Sequence, residues 1–123
     1  MYQDAPIIHK TYKFYILLYC CTNIFPKKDR FTLGQKCENI TLEILEIMIL
    51  ANSKSDSQKT PFLKDVDIKL KVLQTIVRIC HDVQAIDQKK YLILQESIQE
   101  IGRMLGGWLK SLQDPKKPKD LIH

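Results

Sequence analysis

The chain has 123 residues, of which 45% are hydrophobic, and it carries a formal net charge of +5. This length and apolar content suit one domain with one core. The most apolar run, Phe14 to Cys21, is far shorter than the ~20 residues that a membrane-spanning helix needs. The start, Met1 to Lys10, lacks the basic region of a secretory signal. We therefore expect a cytoplasmic protein without a membrane partner. Its positive charge favours an anionic partner such as RNA or DNA.

The first predicted element is a helix from about Ala5 to Ile24. Asp4 and Pro6 suit its start. Its apolar residues recur at spacings of three and four, the period of a helix: Ile7, Thr11, Phe14, Leu18, Cys21 and Phe25. Between Phe14 and Cys21 the helix is apolar nearly all round, whereas a bundle helix needs only one apolar face. The apolar residues beyond this one face predict a second buried surface on the helix, and hence an oligomer.

A turn at Phe25 to Arg30 precedes the second predicted helix, because Pro26 disfavours helical geometry for Phe25. The second helix runs from about Arg30 to Asn52. Gly34 near its start lowers the stability of the helix by about 1 kcal/mol relative to alanine. The apolar stripe of this helix comprises Leu33, Cys37, Ile40, Ile44, Ile47 and Ala51.

The third and fourth predicted helices follow a polar loop at Ser53 to Lys59. Thr60 and Pro61 suit a cap and a first helical position, so the third helix is expected from Pro61 to Gln84. Its stripe comprises Leu63, Val66, Leu70, Leu73, Val77, Cys80 and Gln84. Asp87 is the expected cap of the fourth helix, Gln88 to Leu112. Its stripe comprises Tyr91, Leu94, Ile98, Ile101, Leu105, Trp108 and Leu112.

Four amphipathic helices with short links predict an all-α fold, an antiparallel up-down-up-down four-helix bundle over residues 1–112. The Pro/Lys-rich residues 113–123 are expected to form a mobile tail.

This topology predicts that the first and third turns meet at one end of the bundle. Basic residues would collect there and could neutralise phosphates, although Asp29, Asp82 and Asp87 partly cancel them. The candidate nucleic-acid-binding residues at this end are Lys27, Lys28, Arg30, Lys36, Arg78, Lys89 and Lys90. Lys10 and Lys13 add positive charge on the exposed face of the first helix. The alternative is that these basic residues bind no ligand and form a solvated surface that only keeps the protein soluble.

Glycines inside the fourth helix suggest a close approach to another helix. Gly102 and Gly106 lie on one face, and each costs roughly 1 kcal/mol against alanine. The helix that packs against these glycines could belong to a neighbouring subunit or to the same bundle. The candidate oligomer-interface residues are Phe14, Leu17, Leu18, Gly102, Gly106 and Trp108.

Catalytic and metal-binding patterns are weak in this sequence. Cys80, His81 and Asp82 are consecutive, and consecutive helical residues point about 100° apart, so they cannot form a relay among themselves. No Glu-x-x-His pair, phosphate-binding loop or dinucleotide fingerprint is present. The four cysteines, Cys20, Cys21, Cys37 and Cys80, lack metal-site spacing and are expected to be small buried hydrophobes. We expect a protein that is not an enzyme and needs no cofactor or metal.

Three segments resemble a known family. They are Met1 to Asp4 with Ile8 to Tyr12, Phe25 to Lys27 with Arg30 to Lys36, and Glu100 to Leu109. Together they resemble the accessory variability determinant (Avd) proteins of diversity-generating retroelements. These proteins are related to four-helix proteins encoded in intervening sequences of bacterial 23S ribosomal RNA genes.

The resemblance implies a four-helix bundle that assembles into a pentameric barrel with a basic surface. It implies binding to nucleic acid and to the element's reverse transcriptase during mutagenic cDNA synthesis and retrohoming, without catalytic activity. The alternative, from the intervening-sequence branch, is an oligomeric protein-interaction module without a nucleic-acid role.

Overall fold

The computed structural model describes residues 5–113, and all regular structure in that range is helical. The long helices are α1 (Pro6–Thr22), α3 (Gln35–Asn52), α4 (Asp56–Asp82) and α5 (Gln88–Gln113). Between α1 and α3 lie the short helix α2 (Lys27–Asp29) and a π-helical segment, Arg30–Gly34. The all-α, four-helix prediction is thus confirmed. Asp4 and residues 114–123 of the predicted tail lie outside the described residues, while Gln113, which was assigned to the tail, is the last residue of α5.

The four long helices surround a single core. Helix α3 packs against α1 and α4, and α5 packs against α4 and α1, so α1 stands diagonally opposite α4. The short connections make consecutive long helices antiparallel. The largest fully buried side chains come from every long helix and include Phe14, Ile8, Leu18, Ile44, Met48, Leu63, Leu73, Leu94, Ile98, Ile101 and Leu105.

The predicted start of the third long helix was wrong. Helix α4 begins at Asp56, after an extended Ser55, and Pro61 is therefore inside the helix rather than at its first position. The backbone N–H of Gln58 donates to the Ser55 carbonyl at 2.9 Å. Lys59, which was placed in the loop, is buried and pairs with the Asp56 carboxylate at 3.3 Å. An acidic residue near the positive end of the helix dipole favours this earlier start.

The end of α4 also differs from the prediction. Gln84 was assigned to the core stripe, but it is exposed and has a left-handed φ of 66°. The N–H of Ala85 donates to the Cys80 carbonyl at 2.8 Å, and the N–H of Gln84 donates to the His81 carbonyl at 3.0 Å. This pattern is a Schellman motif, which ends the helix and satisfies its last carbonyl groups.

The π-helical segment brings the chain very close to α1. The N–H of Gln35 donates to the Arg30 carbonyl five residues earlier. Gly34 is buried, and a Cβ atom there would lie 3.3 Å from Phe25 Cδ2 and 3.3 Å from Thr22 Cβ. The sequence marks Gly34 as a helix weakness, whereas the structure shows that a small residue allows this contact.

Within residues 5–113, the helices are too short or too polar for any of them to cross a membrane.

Gly34→Ala is expected to lower the free energy of unfolding, although alanine is the better helix former. The added methyl group would press on Thr22 Cβ, which cannot move without its backbone, and overpacking of this kind costs about 1–3 kcal/mol. Gly107→Ala is the matched control, because no atom lies within 4 Å of its Cβ position. The control should gain up to about 1 kcal/mol. Urea unfolding of both variants measures the difference, and a more stable Gly34→Ala protein would contradict the packing argument.

Candidate nucleic-acid interface

One end of the bundle carries the first and third turns together, as the topology predicted. Ile24, just after α1, lines the same cleft as Ala85 and Ile86 of the α4–α5 turn. That cleft has a volume of about 730 Å³. We call this end the basic end. The carboxylates that share it are Asp29, Glu38, Asp82 and Asp87, and the basic residues are Lys27, Lys28, Arg30, Lys36, Arg78, Lys89 and Lys90.

Most of the basic side chains at this end are accessible to a ligand. Five of them are exposed and have no carboxylate within 4.0 Å in the described part of the chain: Lys27, Lys28, Lys36, Arg78 and Lys89. Lys27, Lys28 and Lys36 lie on the short stretch from α2 to the first turn of α3, so one segment of the chain carries all three charges. These side chains can contact the phosphates of RNA or DNA without recognising a base sequence.

Lys90 is already engaged in the cap of α5. Its backbone N–H donates to Asp87 Oδ1 at 2.8 Å, and its Nζ lies 3.1 Å from Asp87 Oδ2. The predicted cap at Asp87 is therefore confirmed. The backbone hydrogen bond from Lys90, followed by the side-chain bond, lowers the pKa of Asp87 from its ordinary value of 3.8. Part of the Lys90 charge is thus balanced within the protein.

Lys10 and Lys13 do not belong to the basic end. They precede the end of α1 at Thr22 by 12 and 9 residues, which corresponds to roughly 18 and 14 Å along a helix. Lys13 is exposed, but Lys10 is half-buried and pairs with the Glu100 carboxylate of α5 at 3.2 Å. The sequence could not show this pairing, because it joins residues on different helices.

The predicted oligomer-interface residues need correction. Phe14 and Leu18 are 1% and 0% exposed and pack inside the core of the subunit, so they have no surface to offer a second chain. Leu17 and Trp108 are half-buried. A Cβ at Gly102 would lie 3.6 Å from Leu70 Cδ2 of α4, while the Gly106 position is open to solvent.

Two rows of exposed apolar side chains remain on the surface. One row on α1 comprises Tyr12, Ile16 and Tyr19, at spacings of four and three residues. A second row on α4 and its C-terminal cap comprises Ile68, Val72, Ile79 and Val83. The surplus of apolar residues predicted for the first helix is therefore present, but different residues carry it. Because α1 and α4 are diagonal in the bundle, the rows face opposite directions.

A groove separates the end of α1 from the π-helical segment, at the basic end. Its volume is about 280 Å³, and we call it the Tyr19–Phe31 groove after the two exposed rings that line it. The other lining residues are polar or charged: Thr22, Asn23, Arg30, Gln35, Glu38 and Asn39. Sequence reasoning did not select Phe31. Its position off the apolar stripe of the second helix, next to Arg30, is the signal that could have identified it.

The Glu38 carboxylate is held inside this groove by two hydroxyl groups. Tyr15 donates to Glu38 Oε1 at 3.5 Å, and Thr22 donates to Glu38 Oε2. Burial, followed by the charge of Glu38, raises the pKa of Tyr15. Across the groove, the Arg30 guanidinium lies 5.4 Å from the centroid of the Phe31 ring. The groove therefore combines fixed acceptors with a cation and aromatic faces.

Three of the four cysteines are buried as predicted, whereas Cys20 is exposed. Cys37 and Cys80 are 0% and 1% exposed and contact each other across α3 and α4. The hydrogen bond with Cys80 and burial together raise the pKa of Cys37, which keeps this thiol protonated at neutral pH. No cluster of three or more metal-ligating side chains is found among residues 5–113.

Comparison with protein families gives a match over most of the chain. A family model described as bAvd-like matches residues 7–112. This range includes all but the first residue of α1, the whole of α2, α3 and α4, and all but the last residue of α5. No curated protein is significantly similar in sequence to the chain.

The Asp87 carboxylate should make stability depend on pH. Because folding lowers its pKa, its contribution is present above the unfolded pKa near 3.8 and is lost as pH falls through the folded pKa. Asp87→Ala should melt at a lower temperature than the native chain at pH 7, with a gap that shrinks towards pH 2. Thermal melts across this range measure the gap. Asp65→Ala is the control, since Asp65 is exposed and makes no polar contact in residues 5–113; a pH-independent gap for Asp87→Ala would contradict the prediction.

Proposed function

The chain belongs to the bAvd-like family, and from this premise we propose that it is a nucleic-acid-binding accessory protein of a diversity-generating retroelement. In this role it acts beside the element's reverse transcriptase during mutagenic cDNA synthesis and retrohoming. It has no catalytic activity of its own and works in the cytoplasm. The observation that carries the proposal is the basic end, with its five exposed and unpaired cationic side chains.

The electrostatics favour nucleic acid as the ligand of this end. Cations that lack carboxylate partners repel one another, and a phosphate backbone relieves that repulsion while releasing its own counterions. Lys27, Lys28 and Lys36 form the densest part of the cluster. On the helix sides, by contrast, Lys10, Lys69 and Lys71 are each paired with a carboxylate.

The two apolar rows support an oligomer with ring symmetry, and we include a pentameric barrel in the proposal. A ring is built from heterologous contacts, in which one face of a subunit meets a different face of the next. Tyr12 and Ile16 of the α1 row lie on the opposite side of the bundle from the α4 row, and the two could meet in this way. Tyr19, near the end of α1, stays outside this contact. The number five comes from the family resemblance and not from the geometry of one subunit.

The same rows favour a second candidate, an oligomeric protein-interaction module without a nucleic-acid role. Exposed apolar side chains such as Ile68 and Val83 suit a protein partner better than a phosphate backbone. This candidate predicts no binding to RNA or DNA even at low salt. The following titration therefore separates the two functions.

Replacing Lys27, Lys28 and Lys36 together with alanine should weaken binding to RNA and duplex DNA about equally for all sequences. Each lost phosphate contact lowers the slope of log affinity against log salt by about 0.9, so the triple variant should lose up to about three units of slope. The measurement is a salt titration by fluorescence anisotropy.

A matched control removes three exposed cations from the opposite half of the bundle: Lys64, Arg103 and Lys110. Its net charge equals that of the triple variant, so only the position of the charge differs. The control should keep most of the affinity and slope. Equal losses in both variants would reject the basic end as the binding surface, and absence of binding by the native chain would reject the proposed function.

The oligomer is tested on the α4 row. Native protein should scatter light with a mass several times the 14.4 kDa of the subunit. Val72→Glu should reduce that mass, because it places a charge in a desolvated contact. Leu42→Glu on α3 is the control, with 44% exposure against 41% for Val72. A native mass of 14.4 kDa, or an unchanged mass for Val72→Glu, would reject the ring contact through α4.

A further inference from the structure

The Tyr19–Phe31 groove differs from the rest of the basic end in the kind of surface it offers. Tyr19 is 55% exposed and Phe31 is 61% exposed, although Tyr15 stacks beside Tyr19 and the Arg30 guanidinium lies over Phe31. Exposure of an aromatic ring to water is unfavourable, and a ligand that covers the ring removes this cost. A phosphate group cannot cover them favourably, because it is charged and strongly hydrated. These rings therefore offer a surface on which a flat, apolar group can pack.

The polar lining of the groove is suited to the edge of such a group. Glu38 accepts hydrogen bonds from Tyr15 and Thr22, which fix the position of its carboxylate oxygens. A carboxylate at this position can also accept a hydrogen bond from a ring N–H or an exocyclic amine on the Watson–Crick edge of an unpaired base. Asn23, Gln35 and Asn39 each add an amide that both donates and accepts. Aromatic faces with donors and acceptors around them are the features that bind a nucleobase.

The surroundings of the groove complement the charge of a nucleic-acid strand. Lys27 and Lys28 precede Phe31 by four and three residues, and Lys36 directly follows Gln35 of the groove lining. All three side chains are exposed. Cations outside the groove can therefore hold phosphates while a base enters it. The carboxylate within the groove opposes entry of the phosphate itself.

We propose that the Tyr19–Phe31 groove binds an unpaired nucleobase, so that the basic end prefers single-stranded over duplex nucleic acid. Phe31 stacks on the base, with the Arg30 guanidinium beside the same ring. Tyr19 forms the other aromatic wall, and the groove amides and Glu38 contact the edge of the base. In a duplex both faces of each base are covered by its neighbours, so a paired base cannot enter. This inference rests on the proposed nucleic-acid binding and adds the kind of strand that is bound.

The test compares two ligands that differ only in their bases. One is a fluorescent oligothymidylate of about 12 nucleotides, and the other is an abasic chain with the same number of phosphates. Native protein should bind the base-bearing strand about tenfold more tightly at equal salt, the expected effect of stacking one base. An oligouridylate of the same length shows whether RNA shares the site, and tighter binding of either base-bearing strand than of the abasic chain supports the proposal.

Variants of Phe31 connect this preference to the groove. Phe31→Ala should lose about tenfold in affinity for the base-bearing strand and nothing for the abasic chain. Phe31→Tyr keeps a ring and should restore the preference. Ile24→Ala is the matched control, because Ile24 is 63% exposed at the same end but does not line the groove. Light scattering of each variant reports whether its subunit number has changed.

The outcomes separate failure of this inference from failure of the proposed function. Equal affinity of the native chain for base-bearing and abasic strands would overturn the inference, while binding to both would leave the proposed function standing. Loss of oligomer mass in Phe31→Ala would also overturn it, because the ring would then be a subunit contact. If neither strand binds at low salt, the proposed function fails and the inference fails with it.

Discussion

Burial of one apolar stripe from each long helix is the constraint on which the rest of this structure depends. A helix that buries its stripe in a shared core must lie alongside its neighbours, and short connections force it to reverse direction each time. The α1–α2 turn and the α4–α5 turn therefore come to the same end. The basic end follows from this reversal, because Lys27 and Lys89 are far apart in sequence and share one end only through the bundle.

The entry into α3 shows how backbone packing shapes the candidate site. The π-helical segment and the missing side chain of Gly34 allow this part of the chain to approach α1 within van der Waals contact of Thr22. The same approach leaves Phe31 on the surface beside Tyr19 and encloses a groove between them. Phosphate binding and base binding thus depend on adjacent parts of one segment, from α2 to the first turn of α3.

Exposed apolar residues on α1 and α4 relate the subunit to its proposed assembly. Phe14 and Leu18 are needed inside the bundle, so they cannot serve a second interface as the sequence suggested. Ile16 and Tyr19 occupy the opposite face of the same helix and remain available. The periodic pattern thus indicated correctly that α1 carries more apolar surface than one core requires. It could not assign each residue to its surface, because α1 is apolar nearly all round.

The sequence by itself determined the fold class, because hydrophobic periodicity and turn residues are local signals that survive without tertiary contacts. It identified the cap at Asp87 for the same reason, whereas the collection of basic residues at one end followed from the antiparallel topology that four short-linked helices imply. Only the tertiary structure decided that α4 begins at Asp56, that Lys10 is paired with Glu100, and that Phe31 and Tyr19 share a groove. Each of these depends on distances between separate elements or on competition between two possible helix starts, which a local pattern does not contain.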